Sequence, residues 1–305
     1  MQPFKIRILG CGSALPTLKH FASSQIIEVR DKTFMVDCGE GTQIQVRRAR
    51  IHFNKILAIF ITHLHGDHCF GLIGLISTLG MLGRTAPLHI YAPKELGPIL
   101  KLQIDFFCNG LEYEVTFHEV DTSVTGIVYE DKSVIVKSIP LNHRIACCGY
   151  MFSEKPTLPH IRRDMIDFYR IPECYRNNIK NGADWITPEG EVIPNNRLTE
   201  PAAAPRSYAY CSDTKYLPEL YKLVYGVNLL YHEATYCSEN ENRASLYYHS
   251  TAKQAATVAL NAKAKSLLLG HFSARYDNEN AILNEARNIF PNTYLANEMS
   301  VFDVE

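Results

Sequence analysis

A mixed α/β fold with helices covering the faces of its sheets is predicted by three observations. Short β-branched runs recur from one end of the chain to the other. Closely spaced strands read as hairpins between Gly10 and Cys38 open the chain. Beyond them, strands alternate with amphipathic helical stretches, the pattern of sheets with helical cover.

The strands are read in order as FKIRILG (4–10), SQIIEVR (24–30), TFMVDC (33–38), ILAIFIT (56–62), LHIYA (88–92), VIVKSI (134–139), YAYCSD (208–213), LLYHEA (229–234), SLLLGH (266–271) and TYLAN (293–297). Each is a β-branched or aromatic run bounded by turn residues. Apolar residues at helical spacing predict helices over 71–82, 216–226, 251–262 and 279–290. Residues 154–206 differ. They hold seven of the fifteen prolines, many Asn and Gly, and no long apolar run. This reads as an insertion without a compact core of its own, in a single domain spanning 1–305.

Composition excludes several classes. The chain has 305 residues, 46% apolar and 21% charged, enough for a sizeable soluble core. No run of about 18 apolar residues exists, so no membrane span is expected. MQPFKIRILG lacks the apolar segment of a signal peptide. The nine cysteines form no CxxC pair and read as small buried hydrophobes, in keeping with a cytoplasmic protein. A net charge of −1 disfavours a general nucleic-acid binder, and no DNA partner is expected. Two basic stretches survive the average: Arg47, Arg48, Arg50 and Lys55, and Arg162, Arg163, Arg170, Arg176 and Lys180. Alone, either reads as solvated surface.

The chemistry concentrates in THLHGDHCFG (62–71), directly behind a buried strand. Alternate residues at a strand end share a face, so His63 and His65 can reach one ion. Gly66 permits a tight turn, after which Asp67 and His68 face a neighbouring point. Imidazole and carboxylate suit zinc, or less often iron or manganese. The bland reading, a polar helix cap with surface histidines, does not explain four such ligands in six positions. His143, Asp213 and His271 each follow an apolar strand in the same way. Seven ligands suit two ions, with Asp213 between them, and two metals about 3.5–4 Å apart serve hydrolysis of a phosphoryl or carbonyl centre.

THLHGDH, His143, SDT (212–214) and GHFS (270–273) resemble the metallo-β-lactamase superfamily. HEAT (232–235), YYHSTAKQAA (247–256), HFSARY (271–276) and FPNTYLA (290–296) resemble, within it, the ribonuclease Z family, endonucleases that remove the 3′ trailer from tRNA precursors. The resemblance runs from about Ile8 to the C-terminus and implies a four-layer αβ/βα sandwich, with the insertion standing where that family carries a protruding, flexible tRNA-binding arm. It implies one zinc on His63, His65 and His143, a second on Asp67, His68 and His271, and Asp213 bridging. Asp67 would also be the general base, and His249, oriented by Glu233, would stabilise or protonate the leaving oxygen. Read without the resemblance, His249 is an ordinary residue at a helix start capped by Ser250 or Thr251.

Arg275 is a candidate phosphate contact or a surface ion pair. Arg162, Arg163, Arg176 and Lys180, with Tyr169, Tyr175 and Trp185 among them, suit contact with an RNA backbone. Asp37 reads as support beneath the metal site. His20, His52, His89, His118, His160 and His232 show no ligand spacing and read as ordinary residues. The resemblance also implies a homodimer. Two departures stand out: the family's PxKxRN-type loop is Pro16-Thr-Leu-Lys-His-Phe21 here, and the glycine–proline-rich arm tip is IPECYRNN (171–178). The alternative is a hydrolase of the same superfamily acting on a small phosphodiester or ester.

Overall fold

The computed structural model describes residues 2–305. Two compact units partition the chain: residues 1–153 with 206–305, and residues 154–205.

The larger unit contains two seven-stranded sheets. The first runs, edge to edge, Val301–Asp303, Phe4–Gly10, Ser24–Val29, Lys32–Val36, Ile56–Phe60, Leu88–Ala92 and Val115–Glu119. Its opening strands are antiparallel hairpins, and Lys32–Val36 onward it is parallel. The second runs Thr293–Leu295, Ser266–Gly270, Leu229–Glu233, Ser207–Cys211, Cys148–Glu154, Val134–Pro140 and Ile127–Glu130.

The period-2 alternation of the strands explains the layering. Ile6, Ile8, Ile27, Phe34, Val36, Ala58 and Phe60 share one core with Tyr150, Phe152, Tyr208 and Tyr210 of the second sheet. Their neighbours Leu9, Ile26, Met35, Ile59 and Ile61 point the opposite way, into a core with Leu72, Leu75, Ile76 and Leu79 of the helix Leu72–Met81. The helix Ala252–Asn261 covers the other sheet through Ala255, Ala256 and Ala259. Helix, sheet, sheet and helix give the four layers. Phe60 lies at the centre, with Phe34, Tyr150 and Phe152 around it at centroid distances of 5.2–5.8 Å. Burial of one such ring is worth about 2–3 kcal/mol.

Several elements depart from the sequence expectation. The helix expected over 216–226 is only Leu220–Leu223, because Pro218 delays its start and Gly226, at φ +72°, follows its end. The helix Leu96–Phe107 has no counterpart in the sequence reading; its Pro98 falls in the first turn, where proline is tolerated. The strand Cys148–Glu154 was also unread.

The smaller unit does have a core. Ile171, Ile179, Trp185, Ile193 and Leu198 are buried together against Ile161, Met165 and Tyr169, contrary to the expectation of none. Two short antiparallel pairs, His160–Ile161 with Thr199–Glu200 and Trp185–Ile186 with Val192–Ile193, frame it. Trp185 therefore packs inside this unit and is not an RNA contact. Tyr175 stays half-exposed, its ring edge-on to Trp185 at 5.1 Å.

Seven of the nine cysteines are buried and none is paired among the described residues. No helix among the described residues is long and apolar enough to cross a membrane.

Candidate active site

The candidate ligands gather where strands of the two sheets end. His63 and His65 follow Ile56–Phe60, His143 follows Val134–Pro140, Asp213 follows Ser207–Cys211 and His271 follows Ser266–Gly270. Asp67 and His68 lie in the single turn Gly66–Cys69. Asp37, Asp213 and His271 all adopt left-handed backbone, φ 48° to 59°. For residues with a Cβ this costs roughly 1–2 kcal/mol each. Such strain clusters where a chain must turn sharply to aim a functional side chain.

Two groups result. His63, His65, His143 and Asp213 form one, and Asp67, His68 and His271 the other, with the donor atoms within each no more than 4.8 Å apart. His65 Nδ1 lies 3.1 Å from His63 Nε2 and 3.2 Å from His143 Nε2. His68 Nε2 and His271 Nε2 are 3.4 Å apart, and each is 3.5 Å from Asp67 Oδ2. Asp213 faces both groups. Its Oδ2 is 3.7 Å from His63 Nε2 and 3.8 Å from His143 Nε2, while its Oδ1 is 3.1 Å from both His68 Nε2 and His271 Nε2.

Three observations fit this set to a divalent metal ion. Donors about 2.0–2.1 Å from a tetrahedral zinc lie about 3.3 Å from each other, close to the spacings above. The imidazoles are also poised as ligands. Thr62 Oγ1 donates to Asp37 and so accepts from His63 Nδ1, while His68 Nδ1 donates to Asp37 Oδ2 at 2.7 Å. His271 Nδ1 meets Thr235 Oγ1, itself a donor to Glu233, and His143 Nδ1 donates to the Tyr248 carbonyl. These bonds fix the tautomers and turn four bare Nε2 lone pairs toward the two groups. Finally, Asp37, Asp213 and Glu233 are buried and Asp67 nearly so, an anionic surplus that requires cations.

The electrostatics agree. Burial holds His63, His65 and His143 below the ordinary imidazole pKa, as a neutral ligand requires. In the metal-free site burial opposes a charge on His68, but the carboxylates of Asp213, Asp37 and Asp67 outweigh it and raise the His68 pKa. Burial alone would raise the Asp67 carboxyl, but this positive charge, in the place a bound cation would take, in turn holds it well below the usual carboxylate range. Ala14 N–H also donates to Asp67 Oδ2 at 2.7 Å.

His249 stands beside both groups, its ring centre 5.3 Å from those of His143 and His271. Its Nδ1 is 2.9 Å from Glu233 Oε1. Glu233 is wholly buried and further fixed by Thr214 N–H at 2.7 Å and Thr235 Oγ1 at 2.6 Å. Burial disfavours a charged His249, but the Glu233 carboxylate outweighs it and pushes the pKa up to about 9. The helix cap belongs to Thr251, in a capping box with Gln254. The cap expected at this helix start is therefore present, with His249 two residues ahead of it. A cleft of about 620 Å³ is lined by Asp67, His143, Asp213, His249, Arg144 and Arg275.

Sequence reasoning missed Thr62, Thr235 and Tyr210, whose hydroxyl reaches Asp37 at 3.1 Å. The threonines were visible inside THLHGDH and HEAT as immediate neighbours of the candidate residues. His20, read as an ordinary residue, has a structural part here. Its Nδ1 meets Glu298 at 2.9 Å and its Nε2 meets Glu279 at 3.1 Å, anchoring the loop that departs from the PxKxRN pattern. Arg162, Arg163, Arg176 and Lys180 belong to the smaller unit. There Arg162 pairs with Asp164 at 2.7 Å, Arg163 is exposed, and Arg176 leans on the Ile171 carbonyl.

Sandwich and site together define a protein of the metallo-β-lactamase fold. The metallo-beta-lactamase fold protein YhfI from Bacillus subtilis shares it over 99% of this chain and 100% of its own, with a TM-score of 0.69 at 16% identity. The short form of human tRNase Z does so over 99% of both chains, with a TM-score of 0.71 at 24% identity. A family model described as "Anti-Pycsar protein Apyc1" matches residues 4–143. Ribonuclease Z of Bacteroides fragilis is 57% identical over 298 residues, 98% of either chain. The chain belongs to the ribonuclease Z family, whose members are metal-dependent nucleases acting on RNA phosphodiester bonds.

Proposed function

We propose that the chain is a zinc-dependent endoribonuclease of the cytoplasm that cuts tRNA precursors after the discriminator nucleotide, releasing the 3′ trailer and leaving a 3′-hydroxyl. The observation that carries this reading is the placement of Asp213 facing two ligand groups, with Asp67 in one of them and the Glu233–His249 pair beside both. His63, His65 and His143 would hold one zinc, Asp67, His68 and His271 the second, and Asp213 both. Bound there, zinc supplies an acidified water and neutralises charge on the phosphoryl oxygens. Asp67, with its carboxylate oriented by Ala14 N–H, accepts the proton of the attacking water. His249, held charged by Glu233, donates a proton to the departing O3′. Arg275 lines the same cleft and is placed to meet a flanking phosphate.

The test uses a labelled tRNA precursor and a small chromogenic phosphodiester, each with and without chelator. Chelator-sensitive cutting at the trailer junction supports the reading. Turnover of the small ester alone favours the small-substrate alternative. Elemental analysis of replete protein is expected to give about two zinc ions per chain. Full activity with no transition metal bound would sink the mechanism.

The unit of residues 154–205 is proposed as the tRNA-binding arm. Its surface ion pair Arg162–Asp164 is worth little in water, so phosphate can compete for the arginine. The antiparallel pair His160–Ile161 with Thr199–Glu200 brings the ends of the segment together. Replacing residues 160–200 by a short Gly/Ser linker is therefore expected to spare turnover of the small phosphodiester while sharply reducing tRNA cleavage and its salt dependence. Undiminished tRNA cleavage by that protein would remove the arm from recognition.

A homodimer is part of the proposal. Leu102, Phe106 and Phe107 of the helix Leu96–Phe107 are largely exposed, more apolar surface than one helix end ordinarily leaves in water. Sedimentation should show a dimer that Phe106→Glu with Phe107→Glu weakens. A parent protein monomeric at micromolar concentration would refute it.

A further inference from the structure

The catalytic cleft does not end at Asp67. A second groove, of about 690 Å³, adjoins it, and His65, Asp67 and the segment Ser13 to Leu15 line both. His249, Arg144 and Arg275 are absent from its walls. Its apolar walls are Leu15, Pro16, Phe21 and Phe70, with His20 and Glu40 as polar members.

Phe70 is the unusual member. It is 71% exposed, although it follows the metal-ligand turn directly. Its ring lies against Gly66, so closely that a Cβ there would come within 2.5 Å of it, and it lines the groove. Leu15, 69% exposed, stands on the same groove. Behind them the Arg48 guanidinium lies 5.2 Å from the Phe21 ring centre, so the basic stretch Arg47, Arg48 and Arg50 begins where the groove ends.

We propose that this groove seats the base of the first trailer nucleotide, stacked on Phe70, and that Arg48 meets the next trailer phosphate. The inference rests on the activity proposed above. Hydrolysis that leaves a 3′-hydroxyl on the tRNA makes O3′ the leaving atom, and His249 protonates it. The discriminator nucleotide and acceptor stem therefore lie on the His249 side. The trailer nucleotide remains on phosphorus through its O5′ and must leave the centre in another direction. The Phe70 groove adjoins the cleft at His65 and Asp67 and has no His249 in its walls. A rigid aromatic face accepts any base, since every base has a π-face, so a stacking site suits trailers of varied sequence. A single-stranded trailer entering here meets an aromatic face and then a cation, the two elements that sequence-tolerant single-strand binding combines.

The test compares precursors bearing a normal base or an abasic unit at the first trailer position. With the parent holoenzyme the abasic precursor is expected to lose about tenfold in kcat/KM. Phe70→Ala should lose about tenfold on the normal precursor and little further on the abasic one, while Phe70→Trp keeps the parent ratio. With 2-aminopurine at that position, rapid mixing should show a fluorescence change before cleavage that Phe70→Ala diminishes. Unchanged zinc content and thermal midpoint in Phe70→Ala establish that the turn is intact. Arg48→Gln should weaken binding of precursors with longer trailers only, leaving a one-nucleotide trailer unaffected. Equal base-to-abasic ratios in parent and Phe70→Ala would overturn the stacking site while leaving the nuclease reading standing. A parent that cuts no precursor would instead overturn the nuclease reading itself, and this inference with it.

Discussion

Asp67→Ala is expected to lower single-turnover cleavage of a tRNA precursor by at least about a thousandfold, with loss of zinc from one of the two groups. The size follows from the number of roles one carboxylate fills. Asp67 Oδ2 is 3.5 Å from both His68 Nε2 and His271 Nε2, so its removal takes a charged donor from that group and leaves two neutral imidazoles and Asp213. It is also the proton acceptor placed beside the attacking water. Asp67→Asn separates the two roles in part. Its amide oxygen still accepts from Ala14 N–H and still faces the group, but it carries no charge and is a poor base. Asn is therefore expected to retain more zinc than Ala while remaining almost as slow. Near-normal hydrolysis by either variant would mean that the base lies elsewhere.

How much of this was legible in the sequence depends on the range of the interaction that fixes each feature. The strand ends were legible because an apolar run followed by a polar ligand is a local pattern. His63, Asp213 and His271 all fit it, and parallel pairing then brings Asp213, Glu233 and His271 to one edge. Thr62, Thr235 and Tyr210 were not legible as site residues, since their role is to hold another side chain across the fold and no spacing encodes that. The core of residues 154–205 was missed for a similar reason. Ile171, Ile179, Trp185, Ile193 and Leu198 never form a run, and only tertiary contact makes them a cluster. The segment 216–226 erred in the opposite direction. Its apolar periodicity was genuine, but backbone chemistry at Pro218 and Gly226 limited the helix to a single turn.

His249→Ala is expected to behave differently from Asp67→Ala: about two full zinc ions should remain while the chemical step slows by roughly a hundredfold to ten-thousandfold. His249 Nδ1 is engaged with Glu233, and although His249 also stands within ligand spacing of Asp213 and His271, the proposed role leaves its Nε2 to the leaving oxygen, so the loss expected is of an acid and not of a ligand. The acid works only while protonated. Glu233 raises the His249 pKa to about 9, so the protonated form dominates below that pH, and kcat falls as pH rises through it. Glu233→Gln removes the stabilising negative charge and leaves the burial that opposes protonation, which lowers that pKa. The alkaline limb of the kcat profile should therefore move to lower pH in Glu233→Gln, with a smaller loss of rate at low pH than at high. Bound cations depress the same pKa in parent and variant alike, so the displacement between the two profiles is the quantity to read. An alkaline limb that stays in place in Glu233→Gln, or zinc lost in His249→Ala, would move His249 out of the acid's role, the first by severing it from Glu233 and the second by making it a metal ligand.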